Sequence, residues 1–390
     1  MKSVFVISFS DLAADPRVNR QIRLLGRKYR VIAVGLGDPQ IKGVEYIPLK
    51  LPARSFAYRA WRMMMLKLGM YESCYWSDPR IRQAVAAVKD VHADAIIAND
   101  LATLPLALAL AKGRPVALDA HEYSPREYED SWLWRFFIQR YNEYLCRKYL
   151  PACAGMLTVC EGIAKEYHAH FGVNPAVMFN APAYADLSPR KTRPDIVRMI
   201  HHGGAQPGRK IEQMIGMMDH LDDRFHLDLI LLPSIPRYLD RLKSLVAGRP
   251  RLRVLPPLPS EALPAQLNEY DIGVHLLPPN SFNNRHALPN KFFDFIQARL
   301  AVAIGPSLEM ARLARQYGCG VIAEDFTPEA LAASLNGLTS DDIDRLKQAS
   351  HAAARDVCFE KSGPVLLDLL DKLLGACDPA RHDGRRADFF

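Results

Sequence analysis

The chain has 390 residues, 49% of them hydrophobic and 24% charged, with a formal net charge of +7. That balance excludes a disordered chain, and the length exceeds what one core usually serves, so two domains are expected. The positive charge suits polyanions, among them nucleotide diphosphates, acidic lipid surfaces and nucleic acid, without choosing between them.

The opening MKSVFVISFS carries an apolar run too short for a signal-peptide core and meets Asp11 and Asp15 at once, so it reads as a buried first strand. No apolar stretch approaches the ~20 residues of a bilayer-spanning helix. Short β-rich runs follow at 4–8, 30–35, 95–99, 116–120 and 156–160, with helical patterns between them. The runs lack in/out alternation, as expected of parallel strands covered on both faces. Asp15 is placed to cap the first helix, Pro16 sits at its permitted first position, and Val18, Ile22 and Leu25 share one face. Arg17 and Arg20 then lie near the helix start.

Residues 54–82 mix Arg54, Arg59, Arg62 and Lys67 with Phe56, Trp61, Met64 and Trp76. Such a segment suits either docking on anionic lipid or a helix packed on the first domain with a solvated basic side. Two strand ends carry polar clusters: Asn99-Asp100 and Asp119-Ala120-His121-Glu122. In doubly wound domains ligands bind beyond the carboxyl ends of the strands. A histidine between carboxylates there can move a proton or contact a sugar, although a structural histidine and ordinary turn chemistry are the plain alternatives.

Prolines and charges across 180–194 describe an extended connector. A second alternating series follows, at 199–202, 227–232, 252–255, 271–277 and 301–305. The expected fold is α/β, with two doubly wound Rossmann-like domains over 1–185 and 195–357 facing across a cleft. An amphipathic C-terminal helix lies within 358–377, its assignment to the second domain or back to the first left open, followed by a polar tail at 378–390. His202-Gly203-Gly204 to Arg209-Lys210 leaves the first strand of the second domain as a glycine-rich turn feeding a helix, a ready anion site unless it is a simple tight turn. A polar loop at 283–294 holds His286, Asn290, Lys291 and Asp294 about the start of another helix. The seven cysteines include no C-x-x-C pair, which points away from zinc and disulfide frameworks and toward a reducing cytosol.

Taken in order, several segments resemble the family 4 glycosyltransferases, the retaining GT-B group that includes many lipopolysaccharide and capsule enzymes. They are Asp15-Pro16-Arg17-Val18, Asn99-Asp100, Asp119 to Glu122, 157–164, 179–182, Gly203 to Arg209, and Pro289 to Asp294. The resemblance implies a GT-B fold, with a nucleotide-sugar donor held by the second domain and a polysaccharide, lipopolysaccharide or glycolipid acceptor held by the first. It implies retention, no metal and no cofactor. The implied donor residues are Gly203, Gly204, Arg209, Lys210, Asn290, Lys291 and Asp294; His121, Asp294 and His286 are the implied catalytic set. Asp15, Arg17, Asp100 and Glu122 fall on the acceptor side. The chain departs from the family where Gly204 stands at an arginine position, Arg209 at a lysine position, and His286 and Asp294 at two glutamate positions. A cytoplasmic enzyme, peripheral on the inner membrane face through 54–82, is the expectation. A GT-B nucleotide-sugar epimerase and a catalytically silent sugar-nucleotide-binding partner protein are the alternatives. Ser8-Phe9-Ser10-Asp11 replaces a G-x-G-x-x-G loop, which disfavours a dehydrogenase, and no nucleic-acid module is recognisable.

Overall fold

The structure, a computed structural model, describes residues 1–50, 52–259 and 262–376; Cys377 and the polar tail 378–390 lie outside them. It forms two compact units, one of residues 1–178 with the segment from Gly363 onward, the other Phe179–Ser362.

The first unit is built on seven parallel strands: β1 (Ser3–Asp11), β2 (Arg30–Leu36), β3 (Glu45–Pro48), β4 (Ala95–Asn99), β5 (Val116–Ala120), β6 (Gly155–Thr158) and β7 (Ala176–Val177). Their order is β3-β2-β1-β4-β5-β6-β7, and Val4 of β1 lies opposite Val31 on one side and Ala95 on the other. The order reverses between β1 and β4, so their carboxyl ends, at 8–11 and 99–100, flank a topological switch point. Val18, Ile22 and Leu25 of the helix Pro16–Leu25 cover this sheet, with Asp15 accepting the Arg17 and Val18 backbone N–H groups as cap. Leu366, Leu370 and Leu374 of the helix Pro364–Ala376 join the same core. Each such leucine contributes about 2 kcal/mol by burial. A Cβ on Gly155 would come within 2.6 Å of a Leu369 methyl, so the helix packs closely on this strand start.

The second unit has six parallel strands: β8 (Val197–Gly204), β9 (Phe225–Leu232), β10 (Leu252–Leu255), β11 (Ile272–His275), β12 (Ala301–Ile304) and β13 (Gly320–Ile322), in the order β10-β9-β8-β11-β12-β13. Here the reversal falls between β8 and β11. Residues 179–196 form no helix, and Arg299, fully buried, fastens them to this unit by bonding the Ala185 and Leu187 carbonyls. The stretch read as a connector is therefore strapped down along part of its length, and the units divide after Met178. Three strands escape the sequence reading: β3, β7 and β13, with four, two and three residues. All three sit at or beside sheet edges, where partial exposure removes the apolar run that marks a central strand.

Candidate functional site

In the first unit, β5 ends in Asp119, which is fully buried. Arg17 grips it with two bonds, Nε to Oδ2 at 2.9 Å and a terminal nitrogen to Oδ1 at 2.5 Å, and Gln21 adds a third at 3.0 Å. Burial alone would raise the Asp119 carboxyl, but Arg17 foremost, then His121, holds it below its ordinary value. The remaining Arg17 donor goes to the Met178 carbonyl at 3.0 Å. Asp15 and Arg17, expected on the acceptor side, are thus engaged in building the unit, and Asp119, though fully buried, keeps its Oδ2 3.8 Å from His121 Nε2. Residues two apart along a strand share a face, which brings Asp119 under His121, and a buried carboxylate requires a buried partner, which Arg17 supplies.

His121 begins the loop after β5 and is one-fifth exposed at its side chain. Its Nδ1 lies 3.4 Å from Asp100 Oδ2, its backbone N–H donates to Asp100 Oδ1 at 3.2 Å, and its Nε2 is 3.4 Å from Asn99 Oδ1. Asp100 makes this bracket from a positive φ of 64°, a costly backbone state that turns its carboxylate toward the histidine. The two strand ends singled out in the sequence therefore meet. They open on a cavity of about 540 Å³, also lined by Glu122 and Glu127. Burial, then the charge of Asp100, pushes the Glu127 carboxyl up to about 7, against a smaller opposing bond from Tyr128. Nothing in the local sequence singles out Glu127, one of several glutamates in an irregular stretch.

In the second unit, β8 ends in His201-His202-Gly203-Gly204. His201 Nδ1 donates to the Val274 carbonyl at 2.8 Å, leaving Nε2 to face the Lys291 ammonium at 3.4 Å. Lys291 stands in the first turn of the helix Asn290–Gln297 and is 5% exposed. Burial, then Arg209, drives its ammonium well below the ordinary lysine range, while Asp294 opposes them. His202 falls to about 3, through burial and then the charges of Lys291 and Arg209, so it is neutral at pH 7. Gly203 has φ 129°, and a Cβ there would lie 3.1 Å from both the Lys291 ammonium and an Arg209 guanidinium nitrogen. Gly203, Arg209 and Lys291 thus form one cradle of positive charge over a bare patch of backbone.

This cradle corrects the helix-terminus reading. A tight turn at Pro207–Arg209 and Lys210, at φ 47°, intervene before the helix Ile211–Met217. The Ile211 N–H already donates to the Tyr238 hydroxyl at 3.1 Å, which in turn bonds Glu212. The exposed Lys210 is held in the left-handed region. Asp294 Oδ2 faces His202 Nε2 at 3.4 Å. His286 closes the short helix Phe282–Arg285, stacks on Phe282 at 4.4 Å and stands 4.0 Å from Glu309, a buried carboxylate missed in the sequence. Gly204 would meet Ser234 Oγ at 2.6 Å if it bore a Cβ, so no larger residue fits there without a shift.

Residues 22–182 match the sequence profile of Glycosyltransferase Family 4. No curated protein sequence matches. Among solved structures, the chain is similar to HepE of Anabaena in complex with UDP, at 13% identity and a TM-score of 0.65 over 95% of this chain and all of that one. It is similar to WaaG, a glycosyltransferase involved in lipopolysaccharide biosynthesis, at 12% identity and a TM-score of 0.65 over 96% and 100% of the two chains. It is also similar to sucrose-phosphate synthase of Thermosynechococcus elongatus, at 11% identity and a TM-score of 0.70 over 96% and 100%. The chain thus shares the two-domain fold of these GT-B structures over nearly its whole length, and residues 22–182 resemble Glycosyltransferase Family 4.

Proposed function

We propose that the chain is a retaining, metal-independent transferase moving a sugar from a nucleoside-diphosphate sugar, bound by the second unit, to a glycan or glycolipid acceptor bound by the first. The observation that carries this is Lys291. A buried ammonium resting against a neutral histidine, with Asp294 the counter-charge that acts on it, is energetically poor unless further negative charge joins it. A diphosphate supplies that anion, and HepE, which shares the fold, is a complex with UDP. Lys291 and Arg209 then offset the charge that grows on the leaving diphosphate, the task a divalent ion performs elsewhere. Asp294, beside His202, accepts from ribose hydroxyls, and His121, bracketed by Asp100 and Asn99, contacts the reacting sugar.

A calorimetric screen of UDP, GDP, ADP and CMP, run with EDTA, is the direct test. One diphosphate binding with EDTA present is the expected result; no binding by any would overturn the reading. With the donor named, His121→Ala is expected to lose transfer while keeping nucleotide affinity, and the anomeric configuration of the product reports retention.

Among the described residues no helix is long and apolar enough to cross a membrane. The helix Phe56–Lys67 divides its two sequence readings along its surface: Met65 and Leu66 are core, whereas Phe56 is 87% and Met64 53% exposed. Beside it Trp132, Leu133 and Phe136 are also exposed, with Arg59, Lys67, Arg135 and Arg140 among them. Cations interleaved with bare aromatics match an anionic lipid surface. Flotation with phosphatidylglycerol vesicles but not phosphatidylcholine vesicles, weakened by Phe56→Ala and Trp132→Ala together, is expected; equal behaviour of both lipids would sink this placement.

A further inference from the structure

The cavity beside His121 carries two kinds of charge, and they are kept apart. Asp100, Glu122 and Glu127 gather at one part of its wall: Glu127 feels Asp100, and Tyr128 feels all three carboxylates. Arg54, Arg62 and Arg80 line the cavity as well, around the buried Asp78. Arg54 pairs with Asp78, whose other oxygen accepts the Arg80 backbone N–H at 3.0 Å. Arg62 lies over the Tyr141 ring at 5.8 Å. One carboxylate thus faces three guanidinium groups, and the Nε atoms of Arg54 and Arg80 are buried without a hydrogen-bond partner. Uncompensated guanidinium charge in a recess is costly unless an anion enters.

We propose that this cavity selects an acceptor bearing an anionic group, a phosphate or a carboxylate, which docks on Arg54, Arg62 and Arg80 and leaves a hydroxyl toward His121. The assignment rests on the transferase reading and deepens it by naming the class of acceptor. A cavity of about 540 Å³ holds one or two sugar rings with such a substituent. Planar guanidinium groups suit both anions, because each offers paired donors to paired oxygens. The carboxylates around His121 repel the anion from the reacting end, so the charge pattern also fixes the direction in which an acceptor enters.

The test is calorimetry on the full chain saturated with the diphosphate it binds, so that the second unit's cradle is filled. The probes are glucose, glucuronate and glycerol 3-phosphate. Glucuronate or glycerol 3-phosphate is expected to bind at least tenfold more tightly than glucose. Preference for glucuronate assigns an acidic sugar, and preference for glycerol 3-phosphate assigns a lipid phosphate. Arg54→Gln with Arg80→Gln is expected to remove the preference, while Arg80→Lys, which keeps the charge, retains most of it and controls for misfolding. Equal binding of glucose, or full anion affinity in the double variant, would overturn the proposal. Should no diphosphate bind, the transferase reading fails separately, and the same titration on Lys291→Gln still decides whether the first unit takes anions.

Discussion

The two units set a histidine at the end of a central strand, and they surround it in opposite ways. At the end of β5, His121 sits among Asp100, Asn99 and the Arg17–Asp119 pair, where buried charge is already balanced. At the end of β8, His201 and His202 sit among Lys291 and Arg209, where burial and cations together keep both rings neutral. The same doubly wound framework therefore surrounds one strand-end histidine mainly with carboxylate and amide groups and the other with cations. On the proposed function, the first surroundings face an acceptor hydroxyl and the second a diphosphate.

The comparison breaks most visibly at Arg17. Arg17→Met strands Asp119 in the interior, and urea unfolding should show a loss of about 3–5 kcal/mol, the usual cost of orphaning a buried charge. A loss below about 1 kcal/mol would mean the pair is not the keystone of the first unit. Lys291→Gln should behave in the reverse sense. Diphosphate affinity is expected to fall by about 2–4 kcal/mol, as when one partner of a buried charge pair is removed, while unliganded stability holds or rises because a strained cation has gone. Unchanged affinity with reduced stability would instead make Lys291 a structural residue.

A smaller effect tests the first cavity. Glu127 is raised from 4.5 to about 7, so the fold favours its neutral form. Its contribution to stability is complete below about pH 4.5 and drains away as the pH rises toward 7. Glu127→Gln should therefore exceed the parent in stability above pH 7 by about 2 kcal/mol, after allowance for partial exposure, with the gap closing near pH 4. A gap independent of pH would show that the carboxyl is not shifted. The smallest effect is at Gly203, where φ is 129°. Gly203→Ala should cost about 1 kcal/mol in backbone strain and weaken diphosphate binding by crowding Lys291 and Arg209; an unaltered affinity would separate the glycine from the cradle.

The strap over 179–196 shows where sequence reading stops. Prolines and charges read as an open connector, and nothing local reveals that Arg299, a hundred residues on, reaches the Ala185 and Leu187 carbonyls. The glycine turn shows the same limit: its composition announces an anion site, but whether a helix terminus or a pair of cations forms it depends on Tyr238, from another helix. Glu127 and Glu309 are invisible for a related reason, since a carboxylate's burial is a property of its neighbours and not of its own position.

What the sequence by itself determined is the framework: apolar runs at the right spacing specify buried parallel strands, Asp15 with Pro16 specifies a helix start, and the strand-end positions of His121 and Gly203 and the helix-start position of Lys291 follow from the order of elements. Only the tertiary structure decided which charges are spent and which remain. Arg17 and Lys291 are equally cationic in the sequence, yet one meets a buried carboxylate and the other a neutral imidazole. That difference arises because desolvation and pairing act through space, between residues that the chain brings together only when both sheets have formed.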